Sequence, residues 1–292
     1  MEEQIIPDDS TGNAITPTEL DTYGFGFFGY GNWNADYWLI GLEERGAAVA
    51  DEFSRRFTAW KGLYLTQQQR NDGVLVDLRS FHAAWQNQNH PEQPDWNNPT
   101  WNALKALCEQ AGFDAGTLND QNGRWGANNQ HTINLIEAMP FPAHTTREWP
   151  YTEHEQHKWN KFGIQTRQLC AQKYLNMRFE QLARKLNRHR PKVVVLYGRA
   201  YCDDLDVRVQ WQGVVNTTHQ LQHNEWESGY VKPNPGNRSH YCWNRIVWPN
   251  DAQTLLVCVA QPASIQGQNA KNIQKEVFQL LGKKVFQLLN PA

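Results

Sequence analysis

Asp36–Gly46 reads DYWLIGLEERG, and this stretch decides how the rest of the chain is read. Tyr37–Ile40 is a continuous apolar run without alternation, the pattern of a strand covered on both faces rather than one. Gly41 ends the run, and Glu43, Glu44, Arg45 and Gly46 follow almost at once. In sheets of parallel strands, ligands collect where the strands end at their carboxyl edge. A buried strand that delivers two carboxylates and an arginine to that edge has the layout of a site. The bland reading is a solvated turn, since carboxylates are mostly exposed.

Three further runs have the same character: HTINLIEAM (131–139), PKVVVLYG (191–198) and TLLVCVAQP (254–262). Helical patterns separate them. TWNALKALCEQAGF (100–113) places Ala103, Leu104, Leu107 and Cys108 on one side, with Gly112 as its stop. Leu175, Phe179, Leu182 and Leu186 recur at helical spacing ahead of Pro191. Ile273, Val277, Leu281, Val285 and Leu288 form a last stripe. The echo VFQLL at Val277 and Val285 is offset by eight residues, about two helical turns, and so belongs to one helix. Strands alternating with helices predict an α/β fold in three layers, a central, mostly parallel four-stranded sheet flanked by helices. Residues 1–20 read as an N-terminal arm, and 21–292 as a single domain with polar insertions near 86–99 and 202–250, rich in Asn, Gln, Gly and Pro.

Composition narrows the classes. A chain of 292 residues can bury a sizeable core without disulfides or metal. No apolar run reaches the length of a membrane span. The acidic start MEEQIIPDDS lacks the layout of a signal peptide. Five scattered cysteines, none in a CxxC pair, fit reduced thiols and a cytoplasmic location. A net charge of −2 gives no overall field for nucleic acid, but FSRRFTAWKG, ARKLNRHRPK and GKK supply local ones. Thirteen tryptophans suit either a large core or stacking on bases.

The ends of the four runs carry unusual groups in a fixed order. GLEERG (41–46) comes first, then TINLIEAMPFPAHTTREWP (132–150), with an Asn inside an apolar strand and two prolines after it. RPKVVVLYGRAY (190–201) is third and VCVAQPAS (257–264) last. This order resembles the uracil-DNA glycosylase superfamily across roughly Asp36–Ile273, and ALKALCEQAGF is similar to the family's helix before the second motif. The resemblance implies base flipping out of DNA and hydrolysis of the N-glycosidic bond. It implies DNA as the partner and no metal or redox cofactor; the sequence is further expected to have no membrane association and to be a monomer.

It also implies roles. Glu43, with Glu44 beside it, matches the acid that stabilises the sugar cation and activates water. Gln261 stands where the family has a histidine that stabilises the departing base; its amide still donates, and one such donor is worth roughly 10²–10³ in rate. Asn134 matches the residue that reads the flipped base. Gly41, Gly46, Pro140, Pro142, Pro262 and Ser264 shape the backbone around the DNA, and His144 and Arg199 lie beside those loops. Three positions depart from the family pattern. Its loop proline is Glu44 here, its cysteine of the iron–sulfur branches is Ala138, and its aromatic screen against 5-substituted pyrimidines is Arg45.

Bland readings stand beside these. Asn134 also reads as a core amide with a hydrogen-bonded partner, and Gln261–Pro262 as a turn opening. Phe53, Phe57 and Tyr64 fit stacking on a base or packing inside a helix equally well. His154 and His157 beside Glu153, and His219, His223, His240 and Cys242, allow a structural zinc but read first as surface histidines in polar insertions.

A site open at the pyrimidine 5-position needs another source of discrimination. Buried polar groups that require a large polar 5-substituent would supply it. The expectation is therefore a monofunctional glycosylase for a modified pyrimidine, such as glucosylated hydroxymethylcytosine of phage DNA, in antiviral defence. The alternatives are uracil or mismatch repair, and a DNA-binding protein of the same fold without activity.

Overall fold

A computed structural model describes residues 15–42, 50–64, 73–85, 99–113, 115–116, 125–127, 132–143, 149–151, 162–198, 207–234, 237–260 and 270–291. The helices are α1 (Pro17–Gly26), α2 (Ala50–Tyr64), α3 (Leu78–Trp85), α4 (Pro99–Gln110), α5 (Arg167–His189), α6 (Val207–Thr218) and α7 (Ala270–Leu289). The strands are β1 (Phe27–Tyr30), β2 (Tyr37–Gly41), β3 (Val74–Val76), β4 (Ile133–Glu137), β5 (Val193–Gly198), β6 (Glu227–Asn234), β7 (Asn237–Val247) and β8 (Gln253–Ala260).

All eight strands join one mixed sheet in the order β3-β1-β4-β2-β5-β8-β7-β6. The four apolar runs are its middle: β4, β2, β5 and β8 are adjacent and mutually parallel. The expectation of four strands is corrected to eight. On one side β1 pairs antiparallel with β4 and parallel with β3. On the other, β7 pairs antiparallel with β8 and with β6. The stretch 202–250, read as an insertion outside the core, therefore supplies two strands of the main sheet. Its polar residues belong to an edge hairpin, where one strand's outer side faces water.

The arm is also corrected at its end. Thr16 caps α1, its hydroxyl accepting from the Glu19 N–H while the Glu19 carboxylate accepts from the Thr16 N–H, and Pro17 sits in the first turn. Leu20 is fully buried. Helix α5 is capped by Thr166 and ends at Arg190 in the left-handed region, with Leu175, Phe179, Leu182 and Leu186 inside the core. Helix α7 is continuous through both copies of VFQLL.

Side-chain alternation assigns the two helical layers. Tyr37, Val193 and Leu255 lie in register across β2, β5 and β8. Tyr37 stacks on Phe113 just past α4, and Leu255 lines a cavity with Phe286 and Leu288 of α7. The next row, Trp38, Val194 and Leu256, faces the other layer, where Trp38 meets Trp33, itself under Lys185 of α5. Helices α4 and α7 thus cover one face and α5 and α6 the other, as a three-layer arrangement requires.

Candidate functional site at the carboxyl edge of the sheet

The parallel strands β2, β4, β5 and β8 end together at Gly41, Glu137, Gly198 and Ala260. Pairing runs past the strand ends, with the Ala138 N–H donating to Gly41 O (2.8 Å) and the Met139 N–H to Leu42 O (2.6 Å). This holds the exit of β2 against the exit of β4. At the end of β5, Gly198 has φ +129, a conformation that side-chain-bearing residues rarely adopt.

Three residues of the α4/α7 face converge at this edge. A Cβ placed on Gly41 would lie 2.9 Å from Tyr197 Oη and 3.1 Å from Glu137 Oε2. The glycine therefore leaves room for a carboxylate and a phenol to flank one spot on the edge. Glu137 is 7% exposed, and Tyr197 is partly exposed. Beneath them Arg178 is fully buried and donates to four carbonyls: Glu137 O (2.7 Å), Ala138 O (2.8 Å), Gly24 O (2.6 Å) and Phe27 O (2.8 Å). Its guanidinium also lies 4.0 Å from the Phe28 ring centre. Burial pulls its pKa down to about 9, and the Tyr23, Cys170 and Glu137 acidic groups act in the opposite direction. Arg178 thereby pins the carboxyl end of β4 to α1 and β1.

The residues singled out from sequence separate into those brought to this edge and those placed elsewhere. Gly41 is at the edge. Glu43, Glu44, Arg45, Gly46, His144, Arg199, Gln261, Pro262 and Ser264 lie outside the described residues; their segments follow the ends of β2, β4, β5 and β8 in the chain. Asn134 is placed differently. It pairs with Trp38 near the start of β4 and so projects from the α5/α6 face, opposite to Glu137. Its Oδ1 accepts from the Asn32 N–H (2.8 Å), and it is fully buried. Asn32 follows β1, which runs antiparallel to β4, so this contact is at the amino edge. The Oδ1 contact fits the core-amide reading of Asn134, while its buried Nδ2 has no hydrogen-bond partner.

Phe53 and Phe57 are corrected to core packing. Phe53 is fully buried, with Tyr23, Phe141 and Tyr151 at ring-centre distances of 5.2, 5.2 and 6.0 Å. Phe57 packs on Tyr23 and Trp60. Neither ring has a face left for a base. Pro140 and Pro142 are buried, and Pro142 O accepts from the Tyr151 hydroxyl (3.2 Å), so they shape the chain after β4. His219 edges onto Trp248, and His223 lies between Trp243 and Glu227. Among the described residues no three His, Cys, Asp or Glu side chains come together as ligands of one ion.

Glu137 and Tyr197 are members of this candidate site that the sequence pattern alone does not single out. The signal for Glu137 was present, a carboxylate at the end of the apolar run TINLIEAM. Asn134 interrupts the same run three residues earlier and is the more conspicuous polar residue in the sequence.

Compared with protein-family models, characterised proteins and solved structures, the chain matches none.

Proposed function

We propose that this chain is a monofunctional DNA glycosylase that removes a 5-substituted cytosine, such as the glucosylated hydroxymethylcytosine of phage DNA, as an antiviral defence. One observation carries the reading. The motif-bearing segments that start at Glu43, Arg199 and Gln261 follow three adjacent parallel strands, β2, β5 and β8, which end at one edge beside Glu137 and Tyr197.

In this reading the target nucleotide is extruded from the DNA and its base enters at that edge. The bond between C1′ and the pyrimidine N1 breaks, and its electron pair leaves with the base. Glu43 stabilises the cation at C1′ and takes a proton from the water that adds there. Gln261 donates to the base oxygen on which negative charge collects. Glu137 accepts from the exocyclic amine that distinguishes cytosine from uracil, and the Tyr197 hydroxyl donates to the same base edge. Arg45 meets the polar 5-substituent.

The presence of Gln261 and Glu44, where the family has histidine and proline, favours one second reading, a DNA-binding protein of this fold without chemistry. A panel of oligonucleotides, each carrying one altered base, separates the readings when treated with alkali to cut abasic sites. Cleavage at 5-substituted cytosines is expected. Cleavage at uracil alone would move the protein to base-excision repair, and tight binding without cleavage would leave the binding protein.

A further inference from the structure

A second cluster of reactive side chains lies on the opposite face of the sheet from Glu137, and the glycosylase reading does not use it. Cys242 of β7 and Cys258 of β8 are directly opposed in the antiparallel register. Directly opposed residues have Cα atoms about 4.5–5.5 Å apart, inside the range of about 4.4–6.8 Å that disulfides span. Both thiols are free and buried, at 3% and 2% exposure. Helix α6 covers them. Gln212 Nε2 donates to Cys242 Sγ (3.2 Å), and the Arg208 guanidinium donates to the same sulfur.

We propose that Cys242 and Cys258 form a redox-active dithiol, which small hydroperoxides oxidise to a cross-strand disulfide. The division of labour follows from the surroundings. The Cys258 thiol donates a hydrogen bond to Cys242, and with Arg208 and Gln212 this lowers the Cys242 pKa against the opposing effect of burial. Burial, followed by the hydrogen bond to Cys242, raises that of Cys258. Cys242 is the attacking thiolate and Cys258 the resolving thiol. The Cys242 thiolate attacks the outer oxygen of the hydroperoxide, and the O–O bond breaks. Cys242 becomes a sulfenic acid, and the alkoxide or hydroxide that leaves takes up a proton beside Arg208. The Cys258 thiol then attacks the Cys242 sulfur, and its proton leaves with the hydroxyl as water. The two sulfurs together lose two electrons, and the hydroperoxide is reduced to an alcohol or water. Burial confines the reaction to small oxidants.

The test uses the intact, folded chain, treated with hydrogen peroxide, alkylated and digested with trypsin. Cys242 lies in the peptide Ser239–Arg245 and Cys258 in Ile246–Lys271, so a disulfide joins two different peptides. The expected product is that linked pair, lighter by two hydrogens than the sum of its parts and separated again by dithiothreitol. In Cys258→Ser, dimedone should tag Cys242 as the sulfenic acid. Alkylated thiols on both wild-type peptides after peroxide, with tryptophan fluorescence unchanged, would overturn the proposal. So would a dimedone tag at Cys258 in Cys242→Ser that matches the Cys242 tag in yield.

Discussion

At the carboxyl edge, the missing side chain of Gly41 leaves the space that the Tyr197 phenol and the Glu137 carboxylate flank. A methyl group on Gly41 would enter at 2.9 Å from Tyr197 Oη and 3.1 Å from Glu137 Oε2, so the phenol would have to shift and the carboxylate to give slightly. Gly41→Ala should therefore lower turnover more than it lowers stability, as kcat against melting temperature would record. Glu137→Gln makes a sharper prediction. An amide presents an oxygen or an NH2 to the base with equal ease. Under the proposed function, a preference for 5-substituted cytosine over the matching uracil should fall by about tenfold or more in this variant, in line with about 1–3 kcal/mol per specific base contact. An unchanged ratio in competition on mixed oligonucleotides would remove Glu137 from base reading. Two of the four residues that sequence reading placed at the base, Asn134 and Phe53, illustrate what one-dimensional pattern lacks. Their residue types are right for the task. Their direction is set by strand parity for Asn134 and by the helix face for Phe53, and both point into the core.

At the scale of elements, continuous apolar runs made β2, β4, β5 and β8 legible, because parallel strands covered on both faces need no polar side. The outer strands were not legible for the same reason in reverse. β1 and β3 are only four and three residues long, and β6 exposes Glu227, Ser228, Tyr230 and Lys232. The start of α1 was legible, since Thr16-Pro17-Thr18-Glu19 is a capping box, yet it was absorbed into an arm. Thr16→Ala should cost about 1 kcal/mol in denaturant melts. Helix glycines offer an internal contrast. A Cβ on Gly282 would lie 2.3 Å from Leu107 O, because α7 crosses α4 in close contact, whereas Gly213 in α6 has nothing within 4 Å. Gly213→Ala should stabilise the fold by up to about 1 kcal/mol, and Gly282→Ala should destabilise it. The same change of sign in a pair of urea melts is the check.

At the scale of the whole molecule, Arg178 joins α1, β1 and the end of β4 through four carbonyls. Arg178→Leu leaves those acceptors buried without their donor, at about 1–3 kcal/mol for each that finds no substitute. A loss of at least about 3 kcal/mol is expected, and Arg178→Lys should recover little of it, since an ammonium cannot reproduce the planar fork. A net charge of −2 means that any hold on DNA comes from local Lys and Arg. Affinity should fall at least about tenfold between about 50 and 200 mM salt, a slope that titrations at several ionic strengths would measure.

The central claim is that the carboxyl edge of this sheet breaks a glycosidic bond, with Glu43 acting at the sugar. Single-turnover counting of abasic sites in glucosylated phage DNA, beside unmodified and uracil-containing DNA, tests it most directly when wild type and Glu43→Gln are run together. The account predicts abasic sites in the glucosylated DNA alone, and a rate lower by roughly 10²–10⁴-fold in a folded Glu43→Gln protein that still binds the DNA. No abasic sites in any of the three DNAs, or an unchanged rate in the variant, would contradict it.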